Sequence, residues 1–249
     1  LRKDPPADVH YQHVTRMLDM TGGDRRPLYL NEPSAIRTAN EKLFALQFAE
    51  LCPRTLVTSD PKSFRRFREE HGDVVVKPLD GFGGRGVFFV RRDDPNADAL
   101  FEVTTHDGAE PAIVQEFLAA SKQGDKRIVL LDGEPIGAIL RVGSAFKCNL
   151  AAGGRPVRTE LSAEDRAICA RLGPTLREMG LLFVGIDVIG GKLTEVNVTS
   201  PTGVMEIDRA DHVTLETEVI HFVERRCSAA EEGRGHHQRE EVAVGVEQG

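Results

Sequence analysis

Two carboxylates and an amide, Asp187, Glu195 and Asn197, interrupt an otherwise apolar alternation in residues 181–203. Leu182, Val184, Ile186 and Val188 alternate along one predicted strand, and Val196 and Val198 along a second, so the three oxygen-bearing side chains fall opposite the core face. Register decides whether they meet. A two-residue Gly190-Gly191 loop would set Ile186 against Glu195 and divide the polar groups between the two faces. A three-residue loop that includes Lys192 sets Asp187 against Glu195, with Asn197 diagonal and Ile186 against Val196, and it is favoured because both faces become chemically uniform. Hard oxygen donors without His or Cys suit Mg2+ (or Mn2+), held partly by protein and partly by phosphate oxygens, better than Zn2+. The plain alternative is an acidic hairpin facing water.

Two lysines and a glycine loop supply the phosphate side of such chemistry. Lys42 follows Asn40, a cap for the helical pattern of residues 33–51, whose apolar stripe is Leu43, Phe44, Leu46, Phe48 and Leu51. A cation in a first helical turn opposes the helix dipole, a cost that a nearby anion offsets; the alternative is a solvated surface lysine. Lys77 ends the valine run 74–76, and its burial favours a phosphate partner over a strand end emerging into water. Asp80, Gly81, Gly83, Gly84 and Gly86 then lead into the strand-like run 87–90. The glycines fit GxGxxG, but no helix follows, which excludes a Rossmann turn, and GxxxxGK[ST] is absent. A glycine loop between antiparallel strands can instead fold over phosphates, offering backbone N–H groups without side-chain clash.

These groups need a scaffold. Residues 112–115 read as a strand leading through Glu116, Phe117 and Leu118, which resemble a hinge between lobes where a base can sit. Residues 126–131 and 135–142 form a predicted hairpin across Asp132-Gly133, with Arg127 and Arg141 on its strands, suited to carboxylate or phosphate recognition or to cross-strand pairing. Helices are expected over 8–20, 60–72, 162–179 and 212–227, the third with a Ser162–Asp165 capping box, a kink at Pro174 and a stop at Gly180. Strands are expected over 28–30 and 56–58, a mobile loop over 143–154 and a disordered tail over 228–249, where His236 and His237 are solvated.

A hydrophobic fraction of 40% in 249 residues can fill a sizeable core, and a net charge of −7 argues against a nucleic-acid partner. Cys52, Cys148, Cys169 and Cys227 are dispersed, which predicts buried thiols in a reduced compartment. With neither a signal peptide nor an apolar run of membrane-spanning length, a cytoplasmic protein without membrane contact is expected.

Asn40-Glu41-Lys42-Leu43, Lys77-Pro78-Leu79-Asp80-Gly81, Gly124-Asp125-Lys126-Arg127, Asn149-Leu150-Ala151-Ala152-Gly153-Gly154 and Glu195-Val196-Asn197-Val198-Thr199-Ser200-Pro201-Thr202, in that order, resemble bacterial glutathione synthetase, a family of ATP-grasp ligases. The resemblance implies an α/β (α+β) ATP-grasp fold, two subdomains gripping ATP: 40–118 as a lid, 119–227 with the metal site, and 1–39 as the remnant of an N-terminal substrate domain. It implies that Lys42 and Lys77 contact ATP phosphates under the 80–86 loop, that Glu116, Phe117 and Leu118 line the adenine pocket, and that Asp125 lies near the ribose. Asp187, Glu195 and Asn197 match Mg2+ ligands; Arg141, Asn149, Ser200, Pro201, Thr202 and Gly203 match positions near the acceptor; Arg127, Arg141 and Lys77 match catalytic positions. The implied substrates are ATP, γ-glutamylcysteine and glycine, with a homo-oligomer for the full-length family. Another carboxylate–amine ligase of the same fold, or a non-catalytic nucleotide-binding fragment, are the alternatives. Met205 stands where some relatives carry Arg, and the 143–148 loop is shorter than theirs.

Overall fold

The computed structural model describes residues 8–21, 27–80, 83–143 and 154–229, which build two antiparallel sheets joined through residues 117–124. In the first sheet the order is β1 (Thr55–Thr58), β4 (Ala112–Glu116), β2 (Val74–Pro78), β3 (Phe88–Val90). Helices α3 (Pro61–His71) and α4 (Ala97–Thr104) cover one side of it, with Phe64 and Phe101 stacked at 4.4 Å. The start of α3 follows from its sequence: the Asp60 carboxylate accepts from the Lys62 and Ser63 amides, and Pro61 occupies the first turn, where its missing N–H costs nothing.

The second sheet runs β7 (Arg155–Arg158), β6 (Glu134–Val142), β5 (Asp125–Leu131), β8 (Phe183–Ile189), β9 (Lys192–Asn197). Its even-numbered β5 and β8 side chains, among them Ile128, Leu130, Val184 and Ile186, pack on Ile168, Cys169, Leu172 and Leu176 of α5 (Ala163–Glu178). The predicted capping box holds, Ser162 and Asp165 bonding each other's backbone amides at 3.1 and 2.9 Å, and Pro174 lies inside the helix. On the opposite face Val129, Leu131, Ile139 and Phe183 pack under α6 (Val204–Asp211) and α7 (residues 215–229). Only one end of that face is apolar. The other end carries the charged residues of the site.

Several expectations need correction. Residues 28–30 form no strand; the chain instead makes an isolated bridge between Asn31 and Leu181. The 33–51 pattern breaks into α2 (Pro33–Thr38) and a 3₁₀ turn, Phe44–Phe48, because Asn40 turns its side-chain oxygen onto the Lys42 and Leu43 amides at 3.0 and 3.1 Å and starts a new segment. The first helix, α1 (Val9–Asp19), lies within the expected 8–20 and is capped by Asp8, whose carboxylate accepts from the Tyr11 amide. Cys52 and Cys169 are buried, which pushes their thiols up to about 11 and about 12, but Cys227 is exposed on α7. Ser228 belongs to α7 rather than to a tail; residues 230–249, with His236 and His237, lie outside the described residues, as do Gly81, Cys148, Asn149 and most of the 143–154 loop. Among the described residues no helix is long and apolar enough to cross a membrane.

Candidate active site

The β8–β9 hairpin closes on two residues, not three. Gly190 and Gly191 both take left-handed backbone (φ 55° and 74°), Ile189 opposes Lys192 and Val188 opposes Leu193. Two consecutive glycines enter this turn, matched to the strand twist, without steric cost. The ladder then shifts by one residue, so that Asp187 opposes Glu195, Ile186 opposes Val196 and Gly185 opposes Asn197. Thr194 is the extra residue, buried, its hydroxyl donating to the Asp187 carbonyl at 3.1 Å. The predicted pairing of polar groups is therefore present, but a β-bulge produces it and the odd loop does not exist.

Asp187 sits in a cluster of two acids and two arginines on one face of the second sheet, buried except for the half-buried Asp125. Arg127, directly opposite on β5, donates Nε to Oδ1 at 2.6 Å and Nη2 to Oδ2 at 3.1 Å. Arg141 on β6 donates Nη2 to the same Oδ2 at 3.0 Å, and grips Asp125 with Nε and Nη2 at 2.5 and 2.8 Å. Burial pushes the Asp187 carboxyl up, but Arg127 and Arg141 overcome this and hold it well below the usual carboxylate range. Burial likewise works against charge on Arg141, and Asp187 with Asp125 reverses it, keeping the guanidinium protonated. Arg127 also reaches past β8 to the chain beyond β9, donating Nη1 to the Thr202 carbonyl at 3.1 Å. Pro201 and Gly203 are buried there, Ser200 is half-buried and Thr202 exposed.

The lysines arrive from the other sheet and from the edge of this one. Residues 41–51 run along β9, which donates its Val196 amide to the Glu41 carbonyl (2.8 Å) and its Leu193 amide to the Leu51 carbonyl (3.0 Å). Lys42, 3% exposed, is thereby buried rather than solvated, with Nζ 2.5 Å from Glu41 Oε1. Lys77, at the end of β2, donates Nζ to Gln115 Oε1 at 3.0 Å. Burial pushes its ammonium down; Glu195 offsets part of this, while Lys42 adds to it. Glu41 is the residue that sequence reasoning missed. Burial pushes its carboxyl up, Glu195 pushes it further and Lys42 pulls it back. Its closeness to Glu195 depends on the backbone bond to Val196, for which no local pattern exists. Gln115, positioned in turn by a 2.9 Å bond to Thr55, was missed for the same reason.

The glycine segment joins antiparallel strands as predicted, with Val76 against Phe88. Gly83, Gly84 and Gly86 are left-handed (φ 63°, 73° and 68°), while Asp80 is exposed at the start of the turn. A Cβ on Gly86 would lie 3.1 Å from Pro78 Cγ, so backbone freedom and close approach both require glycine there. At the connection between sheets, Glu116 Oε1 accepts from the Arg54 amide at 3.0 Å, Phe117 packs on Phe89 with ring centroids 4.5 Å apart, and Leu118 precedes a 3₁₀ turn, Ala119–Gln123.

Among the described residues no three His, Cys, Asp or Glu side chains gather into a metal-binding group. Asp187, Glu195 and Asn197 nevertheless share one face, with Asn197 Nδ2 3.5 Å from Asp187 Oδ2, and two carboxylates plus an amide fit a hard cation that completes its shell with phosphate oxygens.

Two antiparallel sheets with a buried and a half-buried lysine, a glycine hairpin and an acid–amide face are the architecture of ATP-grasp ligases. The ATP-grasp ligase PsnB, solved with Mg, ADP and a phosphomimetic variant of its minimal precursor, aligns with a TM-score of 0.57 and 25% identity over 84% of this chain and 71% of that one. The family model of the prokaryotic glutathione synthetase ATP-grasp domain matches residues 41–212. The glutathione synthetases of Thermosynechococcus vestitus and Synechocystis sp. are 49% and 48% identical to this chain over 222 and 228 residues, spanning 88% and 91% of it and 70% and 71% of their own lengths. The chain belongs to the prokaryotic glutathione synthetase family.

Proposed function

We propose that this chain joins γ-glutamylcysteine to glycine at the expense of ATP, through an acyl phosphate. The observation that carries the reading is the convergence of Lys42 and Lys77 on the Glu195 side of the β8–β9 hairpin, in a chain whose relatives are named glutathione synthetases. A cysteine carboxylate oxygen attacks the γ-phosphorus and ADP leaves; the glycine amine then attacks the acyl carbon, and phosphate departs with the carboxylate oxygen.

Each residue answers an electrostatic need of that sequence. A carboxylate approaching a polyphosphate needs cations that neutralise repulsion and stabilise charge on the transferring group, which Lys42, Lys77 and Arg141 provide. Arg127 holds Asp187 in place for the same step. Mg2+ or Mn2+, when bound by Asp187, Glu195 and Asn197, would neutralise phosphate charge as a Lewis acid. Asp80, Gly81, Gly83, Gly84 and Gly86 cover the phosphates and exclude water that would hydrolyse the acyl phosphate. Glu116, Phe117 and Leu118 take the adenine, with Asp125 on the ribose side; Ser200, Pro201, Thr202 and Gly203 face the peptide, and Asn149 is assigned to peptide binding by its match to the family motif alone. We assign the lid to residues 40–118 and the metal-bearing subdomain to 119–227, with residues 1–39 from a substrate domain; residues 40–52 nonetheless pack along β9. We place the reaction in the cytoplasm.

The purified chain, given ATP, Mg2+, glycine and a panel of acids, is expected to release phosphate fastest with γ-glutamylcysteine and to yield glutathione by mass. Preference for another acid would overturn the substrate assignment, and ATP binding without turnover would leave only a nucleotide-binding protein.

A further inference from the structure

Asn31 lies outside every motif above, yet its side chain ends the β8–β9 ladder at the edge of the second sheet. It is buried, and it makes three hydrogen bonds to two strands: Oδ1 accepts from the Phe183 amide at 2.8 Å, while Nδ2 donates to the Phe183 carbonyl at 2.8 Å and to the Val198 carbonyl at 2.6 Å. The β8–β9 pairing runs Asp187 with Glu195, Ile186 with Val196 and Gly185 with Asn197. Continuation of that register would bring Val198 against Val184 and the following residue against Phe183. Asn31 instead takes both main-chain groups of Phe183 and the carbonyl of Val198, as a wedge at the point where the two strands part.

The wedge is itself fixed from behind. Asn31 bridges Leu181, the Glu32 amide donates to the Gly180 carbonyl at 3.0 Å, and Pro33 opens α2 at once. Beyond Val198 the chain enters the 199–203 turn, which is held again at its far end by Arg127 Nη1 on the Thr202 carbonyl at 3.1 Å. Between these anchors Pro201 lies over Gly185, where an added Cβ would come within 3.0 Å of Pro201 Cβ. The turn thus has an entry anchor, a floor and an exit anchor, and the entry anchor comes from a segment far away in sequence.

We propose that Asn31 is a positioning residue for the acceptor turn, which sets where the peptide substrate binds by forcing the chain after Val198 off the sheet. This rests on the reading that residues 200–203 face the peptide. A diverted strand end held at two carbonyls leaves few alternative paths for the turn, and misplacement of a substrate contact by about 1 Å can cost about 100-fold in rate.

Asn31→Asp keeps the oxygen that accepts from Phe183 and removes both donated bonds, so it tests the wedge without emptying the space; Asn31→Ser serves if that variant does not fold. Two readouts are taken, amide hydrogen exchange without substrates and steady-state kinetics. The expected result is faster exchange in peptides covering 198–204 with β5 and α5 unchanged, a rise of about tenfold or more in the KM for γ-glutamylcysteine, and unchanged ATP affinity. Unchanged exchange at 198–204 would overturn the proposal, as would faster exchange throughout the sheet with ATP affinity falling in step, or a loosened turn with an unchanged peptide KM. If the unsubstituted chain makes no glutathione, the ligase reading fails; the exchange data then decide the anchoring of the turn alone.

Discussion

Replacing Asp187 by asparagine is expected to cost about 3–5 kcal/mol of folding stability and to lower turnover by more than about 100-fold. Both effects follow from one position. Arg127, Arg141 and Asp187 are buried, with Asp125 half-buried beside them, the four are balanced in charge, and the amide would leave Arg127 without its carboxylate partner and Arg141 with Asp125 alone. An uncompensated buried guanidinium is what makes the loss of one partner expensive. The activity loss has a separate cause, since Asp187 also belongs to the acid–amide face that we assign to the cation. Urea denaturation checks the first effect and glutathione formation the second. A stability change below about 1 kcal/mol, the scale of a solvated ion pair, would mean that the arginines reach water and the cluster is not closed.

Lys77→Met should lower activity without the loss of stability. Its kcat is expected to fall by about 10²–10³-fold, equivalent to about 3–4 kcal/mol of transition-state stabilisation. Its stability should hold or rise. Burial, with Lys42 beside it, disfavours the Lys77 charge by more than Glu195 favours it in the protein alone, and its hydrogen-bond partner is the neutral Gln115 oxygen, so methionine removes a desolvation cost while keeping the apolar stem. Such a trade of stability for a charge poised at a reacting phosphate marks a functional lysine. Thermal unfolding and kcat measured on the same sample check it. A variant that is strongly destabilised yet retains turnover would assign Lys77 to the fold instead.

The legible parts of the sequence were those with short periods. Alternation through Leu182, Val184, Ile186 and Val188 placed Asp187 opposite Glu195 on a shared face, and the punctuation of Asp60, Pro61 and Gly72 bounded α3 closely. The hairpin turn was misread because Gly190-Gly191 suits an even loop while uniform faces require an odd offset; a bulge at Thr194 satisfies both, and nothing in the local sequence announces it. Helices α4 and α6 carry little sequence signal because each is only 8 residues long, too short for a clear apolar period, and Gly203 gives α6 no capping side chain. The arginine clamp was invisible for another reason. Arg127 and Arg141 were recognised as candidates for anions, but their partner Asp187 reaches them only through strand order, with Arg127 sixty residues earlier in the chain. Glu41, Gln115 and Asn31 act through partners equally remote, where sequence periodicity carries no information.

The most direct test of the ligase account follows one oxygen atom. With γ-glutamylcysteine labelled by 18O in its cysteine carboxylate, ATP, glycine and Mg2+, the released phosphate is predicted to carry a single 18O atom for each glutathione formed, because the carboxylate oxygen leaves with the phosphoryl group. Phosphate without label, or label retained in full by the peptide, would contradict an acyl phosphate formed at this site.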